Sequence, residues 1–196
     1  PWETMYESIT GMVMGNNKAC AAVVQVNPLG QADLDAFGAG VFSAAVNGVV
    51  PDNQFINIWD IAFDPAGSQI AFCVRKNRTD YSVVSNGVLW DNTFQYAWRP
   101  CFINNGSSVV APVRQGGSWM LFKDDAPFWK DRFKQLWHVT THNGTGKLAA
   151  VVSNAYGKWS VSENQKTWNF PCDTMISDLR YSADGSALSA VYKHQG

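Results

Sequence analysis

The amino-acid sequence predicts an all-β protein, and two observations support this prediction. The first is a fixed period: Trp90-Asp-Asn-Thr-Phe94 and Trp129-Lys-Asp-Arg-Phe133 are copies of one element, and their tryptophans are 39 residues apart. The second is that short apolar segments with β-branched residues alternate with tight turns. No segment keeps the three- and four-residue apolar spacing of a long amphipathic helix. A period of this length indicates units that stack or form a ring.

The Trp-x-x-x-aromatic element marks the units along the chain. Its copies begin at Trp2, Pro51, Trp90, Trp129 and Trp168. The first step is 49 residues long and the next three are 39 residues each. We place the extra residues in Asn27–Gly38, which is rich in Gly and Ala, and we expect a surface loop there.

A second set of aromatics follows four residues after three of these elements, at Trp59, Trp98 and Trp137. Because these side chains recur at one register, we predict that they pack between units and do not form a binding stripe. Truncation of a buried one should cost about 3–5 kcal/mol. Stacking on a sugar would apply only to copies that are exposed.

Each unit contains two kinds of turn. Glycine-ending turns follow the second aromatics, at 64–67, 103–106, 142–146 and 182–185. Hairpin turns come later in each unit, as Asn47-Gly48, Asn86-Gly87, Asp124-Asp125 and Asn164-Gln165. Pro112 falls inside a predicted strand, so we expect it at an edge or a bulge, where its missing N–H has no partner.

Each unit therefore contains four short strands, and a repeat of four strands in about 39 residues is typical of a β-propeller blade. The chain has room for about five blades in a single domain, residues 1–196. The predicted units are 10–56, 57–94, 95–133, 134–172 and 173–196 together with 1–9. Either the N-terminal strands complete the last blade of a five-bladed ring, or the chain is a piece of a larger propeller. We prefer the second alternative, because a closed ring would lack one strand and leave an open edge.

The segment Trp59–Phe72 and the turn Ser182–Gly185 resemble the repeats of TolB-type and WD-repeat-like propellers, in which a Phe-Ser-Pro-Asp-Gly turn precedes an Ile-Ala-Phe strand. This resemblance implies the propeller fold. It implies little about function, because propellers serve many unrelated functions.

Composition excludes several classes of function. A net charge of −1 argues against a nucleic-acid-binding domain. No apolar run is long enough to span a membrane. The four cysteines, Cys20, Cys73, Cys101 and Cys172, lack haem and iron–sulfur spacings, and we expect buried reduced thiols. We therefore predict no cofactor and no metal site.

Other polar residues fit structural roles better than catalysis. His138, His142 and His194 show no metal-ligand spacing. Asp60, Asp91, Asp131 and Asp178 recur near the aromatic positions. Carboxylates that converge on a propeller channel would suit a glycosidase, but these vary in register. Sequons begin at Asn77, Asn105 and Asn143, and they also fit plain turn chemistry.

A closer resemblance concerns residues 51–181. Gly117-Ser-Trp119 and Gly157-Lys-Trp159, combined with the Trp90–Trp98 and Trp129–Trp137 stretches, are similar to the tryptophan-rich propeller subunit of transmembrane electron-transfer complexes of sulfate-reducing bacteria. The resemblance implies a non-catalytic accessory subunit that is peripheral at the cytoplasmic face of the membrane. Its partners would be a cytochrome b subunit and an iron–sulfur subunit. The alternatives are a carbohydrate-binding propeller lectin and a propeller glycosidase.

The segment Asp124–Lys134 differs most between the copies, and we predict that it contacts a partner protein. Its candidate binding residues are Phe128, Trp129, Lys130, Arg132 and Lys134. Phe128 or Trp129 would be an aromatic anchor and Arg132 a rim residue, since aromatics and arginine dominate interface energetics.

Overall fold

The computed structural model describes residues 2–27, 34–168 and 172–192, which form five antiparallel sheets. Sheet 1 contains β1 (Ile9–Met14), β2 (Cys20–Gln25) and β3 (Phe42–Val46). Sheet 2 contains β4 (Asn57–Phe63), β5 (Ile70–Arg75), β6 (Tyr81–Ser85) and β7 (Val88–Leu89). Sheet 3 contains β8 (Tyr96–Ala97), β9 (Cys101–Ile103), β10 (Ser108–Gln115), β11 (Ser118–Lys123) and β12 (Ala126–Pro127). Sheet 4 contains β13 (Gln135–His142), β14 (Lys147–Ala155), β15 (Lys158–Glu163) and β16 (Lys166–Thr167). Sheet 5 contains β17 (Ser177–Tyr181) and β18 (Leu188–Val191).

The prediction of repeated four-stranded antiparallel units is confirmed for sheets 2, 3 and 4. In sheets 2 and 4 the four strands pair in chain order. In sheet 3 the first strand is split into β8 and β9, which both pair with β10, and β10, β11 and β12 then pair in chain order. The last strand of each of these sheets has only two residues. The first strands of successive sheets contact one another, from β1 to β4, β9, β13 and β17. They are therefore the innermost strands, as in a propeller.

The insertion differs from the expected loop. A short helix, α1 (Leu34–Ala39), occupies its second half, and residues 28–33 lie outside the described part of the chain. Leucine and alanine favour helix, and Asp35 lies in the first turn, where a negative charge is favourable. Six residues are too few to show a helical period. No helix among the described residues is long and apolar enough to cross a membrane.

The core lies between the sheets. One buried cluster fills each junction between successive sheets, from sheets 1 and 2 through to sheets 4 and 5. In sheets 1 to 4 the second strands are the most buried elements, and every residue of β5 from Ile70 to Val74 is buried. Trp90 and Trp129 are both buried. The repeated aromatic element is therefore a packing element, as its register predicts.

The glycine-ending turns of successive sheets pack against one another. Asn16 and Asn17 of the first turn (a 3-10 turn, Asn16–Lys18) donate side-chain hydrogen bonds to Pro65 O and Ala66 O, at 2.6 and 2.7 Å. A Cβ atom at Gly67 would overlap the backbone of Asn16, and one at Gly185 would lie 2.7 Å from His142 Nδ1. Both glycines also have positive φ. The repeated glycine is thus required by close approach as well as by conformation.

Pro112 lies where its missing N–H has no partner. It sits in β10 opposite the interruption between β8 and β9, and its carbonyl accepts a hydrogen bond from Trp98 N–H at 2.9 Å. The N–H and C=O of one strand residue point to the same side, so the absent N–H faces this irregular segment. The prediction for Pro112 is confirmed. The first strand of sheet 3 is split into β8 and β9 opposite this residue.

Candidate functional site

The segment that follows β12 alternates between core and surface. Trp129 and Phe133 are each 2% exposed, and Phe133 exchanges two backbone hydrogen bonds with Trp119, at 2.8 and 2.9 Å. The three residues between them, Lys130, Asp131 and Arg132, are exposed. Two buried aromatics therefore fix the direction in which the cations point.

This arrangement corrects one part of the docking hypothesis. The Trp129 side chain belongs to the core between sheets 3 and 4, so it is not a surface anchor. Phe128 is 37% exposed, and the ammonium group of Lys123 lies 5.8 Å from its ring centroid. Phe128 is therefore the remaining candidate for the aromatic anchor.

The charged hairpin tip is engaged within the chain. The carboxylate of Asp125 accepts hydrogen bonds from Asp91 N–H at 2.7 Å and from the Asn92 side-chain amide at 3.0 Å. Gln165, the equivalent residue of the next sheet, accepts a hydrogen bond from Lys130 N–H at 3.0 Å. We call these two contacts the turn latches. They tie the hairpin of one sheet to the loop after the fourth strand of the preceding sheet.

A cleft of about 280 Å³ lies beside the exposed cations, at the junction of sheets 3 and 4. We call it the basic cleft, and its lining residues are Arg114, Gly117, Trp119, Lys134, Gln135, Ser153 and Tyr156. Its walls are the β10–β11 hairpin and the β14–β15 hairpin. Lys134 N–H donates to Ser153 O at 2.8 Å, which holds the start of sheet 4 against its own second strand.

Three cations surround this cleft. Arg114 and Lys134 line it, and the Arg132 guanidinium lies 3.8 Å from the position that a side chain at Gly116 would take. The described residues contain two ion pairs, Lys158–Asp173 and Arg180–Asp178, and neither involves these three cations. None of these three cations therefore forms an ion pair within the described residues.

A second repeated feature lies on the innermost strands. One residue in or beside each of these strands has positive φ: Gly11, Asp60, His138 and Asp178 lie within strands, and Arg99 lies between β8 and β9. In four of the five strands, pairing with the second strand shifts register next to this residue, as at a β-bulge. In sheet 3 the first strand is split there. The Asp60 carboxylate accepts a hydrogen bond from Arg99 N–H at 3.0 Å, so adjacent bulges are linked.

The predicted carboxylate set does not come together on one element. Asp60 and Asp178 belong to the innermost strands, whereas Asp91 and Asp131 follow the fourth strands of sheets 2 and 3. No group of three or more His, Cys, Asp or Glu side chains in the described residues could hold a metal ion. His142 hydrogen-bonds through Nε2 to Ala183 O at 3.0 Å, as part of the turn packing.

The cysteines are free thiols. Cys73 and Cys172 are buried, and Cys20 and Cys101 are half-buried. Burial raises the pKa of the Cys101 thiol to about 12, and it raises the pKa of Cys73 well above its ordinary value, with a further contribution from the charge of Asp60. These protonated thiols behave as small apolar side chains.

The tryptophans of the second set are less buried than the repeat predicts. Trp59, Trp98 and Trp137 do pack across junctions, and Trp98 meets Trp137 edge to face at 5.2 Å. Each remains half-buried. Tyr96 joins Trp59 and Trp98 in a continuous row of rings at centroid distances of 5.8 and 6.0 Å.

Sequence reasoning located Arg132 and Lys134 through their alternation, but it missed Arg114 and Tyr156. The two missed residues belong to the hairpins that flank the cleft, Arg114 on the β10–β11 hairpin and Tyr156 at the tip of the β14–β15 hairpin. Their position at the end of the second strand of each unit is the signal that could have found them, once adjacent units are placed side by side.

Comparison with known proteins gives the fold. The chain is similar to a solved structure described as the Dos1 propeller, with a TM-score of 0.51 and 10% sequence identity. The match covers 94% of this chain and 52% of that one, so this chain spans about half the length of that propeller. The sequence matches no protein-family model, and no curated protein matches it. The repeat, the sheet order and this structural likeness together indicate a β-propeller.

Proposed function

We propose that this protein is a non-catalytic propeller that binds other protein chains. The observation that carries the proposal is the surface of residues 128–134, where buried Trp129 and Phe133 hold Phe128, Lys130 and Arg132 toward solvent. An exposed aromatic ring among cations matches the residue types that contribute most to protein interfaces. The propeller supplies the rigid scaffold behind this surface.

The more specific form of the proposal is an accessory subunit of a membrane-bound electron-transfer complex. Its support is the resemblance of residues 51–181 to the tryptophan-rich propeller subunit of such complexes. The partners would then be a cytochrome b subunit and an iron–sulfur subunit, and the chain would lie at the cytoplasmic face of the membrane without a cofactor of its own.

Purification of the native protein from its membranes tests both forms. We expect one or more proteins to co-purify with the chain in fixed stoichiometry. Haem b absorbance and an iron–sulfur electron paramagnetic resonance signal in that fraction would support the specific form. A chain that elutes alone under mild conditions contradicts both forms.

The double substitution Phe128→Ala, Arg132→Ala tests the surface itself. We expect association to weaken by about 2 kcal/mol or more, which is roughly 30-fold in Kd. The melting temperature should hardly change, because both side chains are exposed. Val88→Ala, Arg78→Ala is a matched control at another exposed surface. Unchanged association in the first variant would remove residues 128–134 from the interface.

A carbohydrate-binding propeller is the second candidate, and the half-buried row of Trp59, Tyr96 and Trp98 favours it. Sugar rings stack on the exposed faces of such aromatic rings. A glycan array tests this function, and binding that is lost in Trp98→Ala but kept in Phe128→Ala would support it over the protein-binding proposal.

A further inference from the structure

The basic cleft has a composition that selects for negative charge. Arg114 and Lys134 line it, Arg132 lies next to it, and none of its lining residues is acidic. A concave surface lined by one sign of charge focuses the electric field and concentrates ligands of the opposite sign. The arginines also offer paired N–H donors that fit a carboxylate in two parallel hydrogen bonds.

The remaining lining residues suit a polypeptide better than a bare anion. Trp119 is half-buried and forms an aromatic wall. Tyr156 is 96% exposed at the tip of the β14–β15 hairpin, on the opposite side of the cleft. Gln135 and Ser153 add neutral hydrogen-bonding groups. Aromatic surface beside cations contacts carbon chains and charges together, as at protein interfaces.

We propose that the basic cleft binds an acidic segment of a partner protein, with Arg114 and Lys134 receiving its carboxylates and Trp119 and Tyr156 packing on the side chains between them. This inference rests on the proposed function, because it names the chemistry of the partner. The cleft adjoins the surface of residues 128–134 through Arg132 and Lys134, so one partner chain can cover both. A volume of about 280 Å³ accommodates a few side chains and leaves the rest of the segment outside.

Fluorescence anisotropy with the full chain tests the inference. The probe is a labelled ten-residue peptide with four glutamates around one central leucine, and the control peptide carries glutamine at the same four positions. We expect the glutamate peptide to bind at least about tenfold more tightly than the control. Its affinity should fall as salt is raised from about 50 to about 300 mM, because screening weakens exposed charge pairs.

Substitutions in the cleft give the residue assignment. Arg114→Gln, Lys134→Gln should weaken binding of the glutamate peptide about tenfold or more. Arg78→Gln, Lys166→Gln removes the same charge from exposed sites outside the cleft, and it should leave the affinity unchanged. Tyr156→Ala should weaken binding of the glutamate peptide but leave the salt dependence of that binding unchanged. Circular dichroism and melting temperature confirm that each variant is folded.

Three results would overturn the inference. The first is equal binding of the glutamate and glutamine peptides. The second is an equal loss of affinity in the cleft variant and its charge-matched control. The third is binding to vesicles of phosphatidylcholine and phosphatidylserine that depends on Arg114 and Lys134 when the peptide does not bind, which would assign the cleft to a membrane surface.

The same variants separate this inference from the proposed function. If Phe128→Ala, Arg132→Ala releases the native partner while Arg114→Gln, Lys134→Gln retains it with full affinity, the acidic-segment inference fails and the protein-binding function stands. If both variants release the partner and the cleft variant also loses the peptide, both proposals are supported.

Discussion

At the scale of single residues, Asp64 shows how a repeated turn is held together. The side chain is 5% exposed, and Oδ1 accepts backbone N–H hydrogen bonds from Ser68 at 2.6 Å and Gln69 at 2.7 Å. Oδ2 accepts a third from Ala66 at 3.1 Å. Burial alone would raise the pKa of Asp64, but the three N–H donors outweigh it, and the pKa lies below its ordinary value of 3.8.

Replacement of this carboxylate should therefore destabilise the fold in a pH-dependent way. Asp64→Ala leaves three N–H groups without their acceptor, and we expect a loss of about 3 kcal/mol in the free energy of unfolding near neutral pH. A depressed folded-state pKa contributes stability above the unfolded pKa, and that contribution disappears as pH falls through the folded value. Below about pH 4 the difference between wild type and variant should shrink.

Urea unfolding at several pH values measures this difference. Asp184→Ala is the comparison variant, because Asp184 lies in the corresponding turn of sheet 5 but is exposed and accepts one backbone N–H hydrogen bond, from Ser186, where Asp64 accepts three. The control should lose less stability than Asp64→Ala. A pH-independent loss in Asp64→Ala would show that the carboxylate charge does not hold this turn.

At the scale of elements, the hairpin turns show which features the sequence predicts and which it does not. Asn47-Gly48 and Asn86-Gly87 predict two-residue turns with positive φ, and the structure confirms positive φ at all four residues. Asp124 and Asp125 stand at the same place in sheet 3 and also have positive φ. Asp125 stands where sheets 1 and 2 have glycine, and the turn latch to Asp91 and Asn92 explains the aspartate. This contact cannot be predicted from the sequence, because it depends on how adjacent sheets stack.

Only part of the candidate site could be predicted from the sequence, for the same reason. Alternation predicts that Arg132 and Lys134 share one surface, because the period of a strand is local information. Arg114 reaches that surface only through pairing of β10 with β11, and Tyr156 only through packing of sheet 4 on sheet 3. A repeat locates the units, but it does not give the rotation between them.

Two substitutions at Asp125 separate the latch from the backbone conformation. Asp125→Ala loses the hydrogen bonds to Asp91 and Asn92 and keeps a non-glycine residue at φ of 69°. Asp125→Gly loses the same bonds but removes the conformational cost, which is about 1 kcal/mol. We therefore expect the alanine variant to be the less stable of the two by about 1 kcal/mol, and both to be less stable than wild type.

Thermal and urea unfolding of the three proteins give this ranking. Gly87→Ala supplies a reference for conformational cost alone, since no atom lies within 4 Å of a Cβ placed there. An Asp125→Gly variant more stable than wild type would mean that the latch contributes less than the strain it imposes.

At the scale of the whole molecule, the chain is a series of similar sheets in which each contacts its neighbours. The clusters at the junctions are separate, so stability should be distributed along the series of sheets as a sum of sheet and junction contributions. The first strands contact one another, the second strands of sheets 1 to 4 are the most buried, and the last strands of sheets 2, 3 and 4 are short. Burial therefore differs between strands more than between sheets 2, 3 and 4.

Native-state hydrogen exchange should reveal this order. Amides of β5, β10 and β14 should exchange most slowly, because these strands have partners on both sides and long buried stretches. Amides of β1 and β18 should exchange faster, because most or half of their residues are exposed. Mass spectrometry of peptides from each strand gives the rates. Uniform protection of β18 and β14 would show that the sheets open together as one cooperative unit, against the expected sum of local contributions.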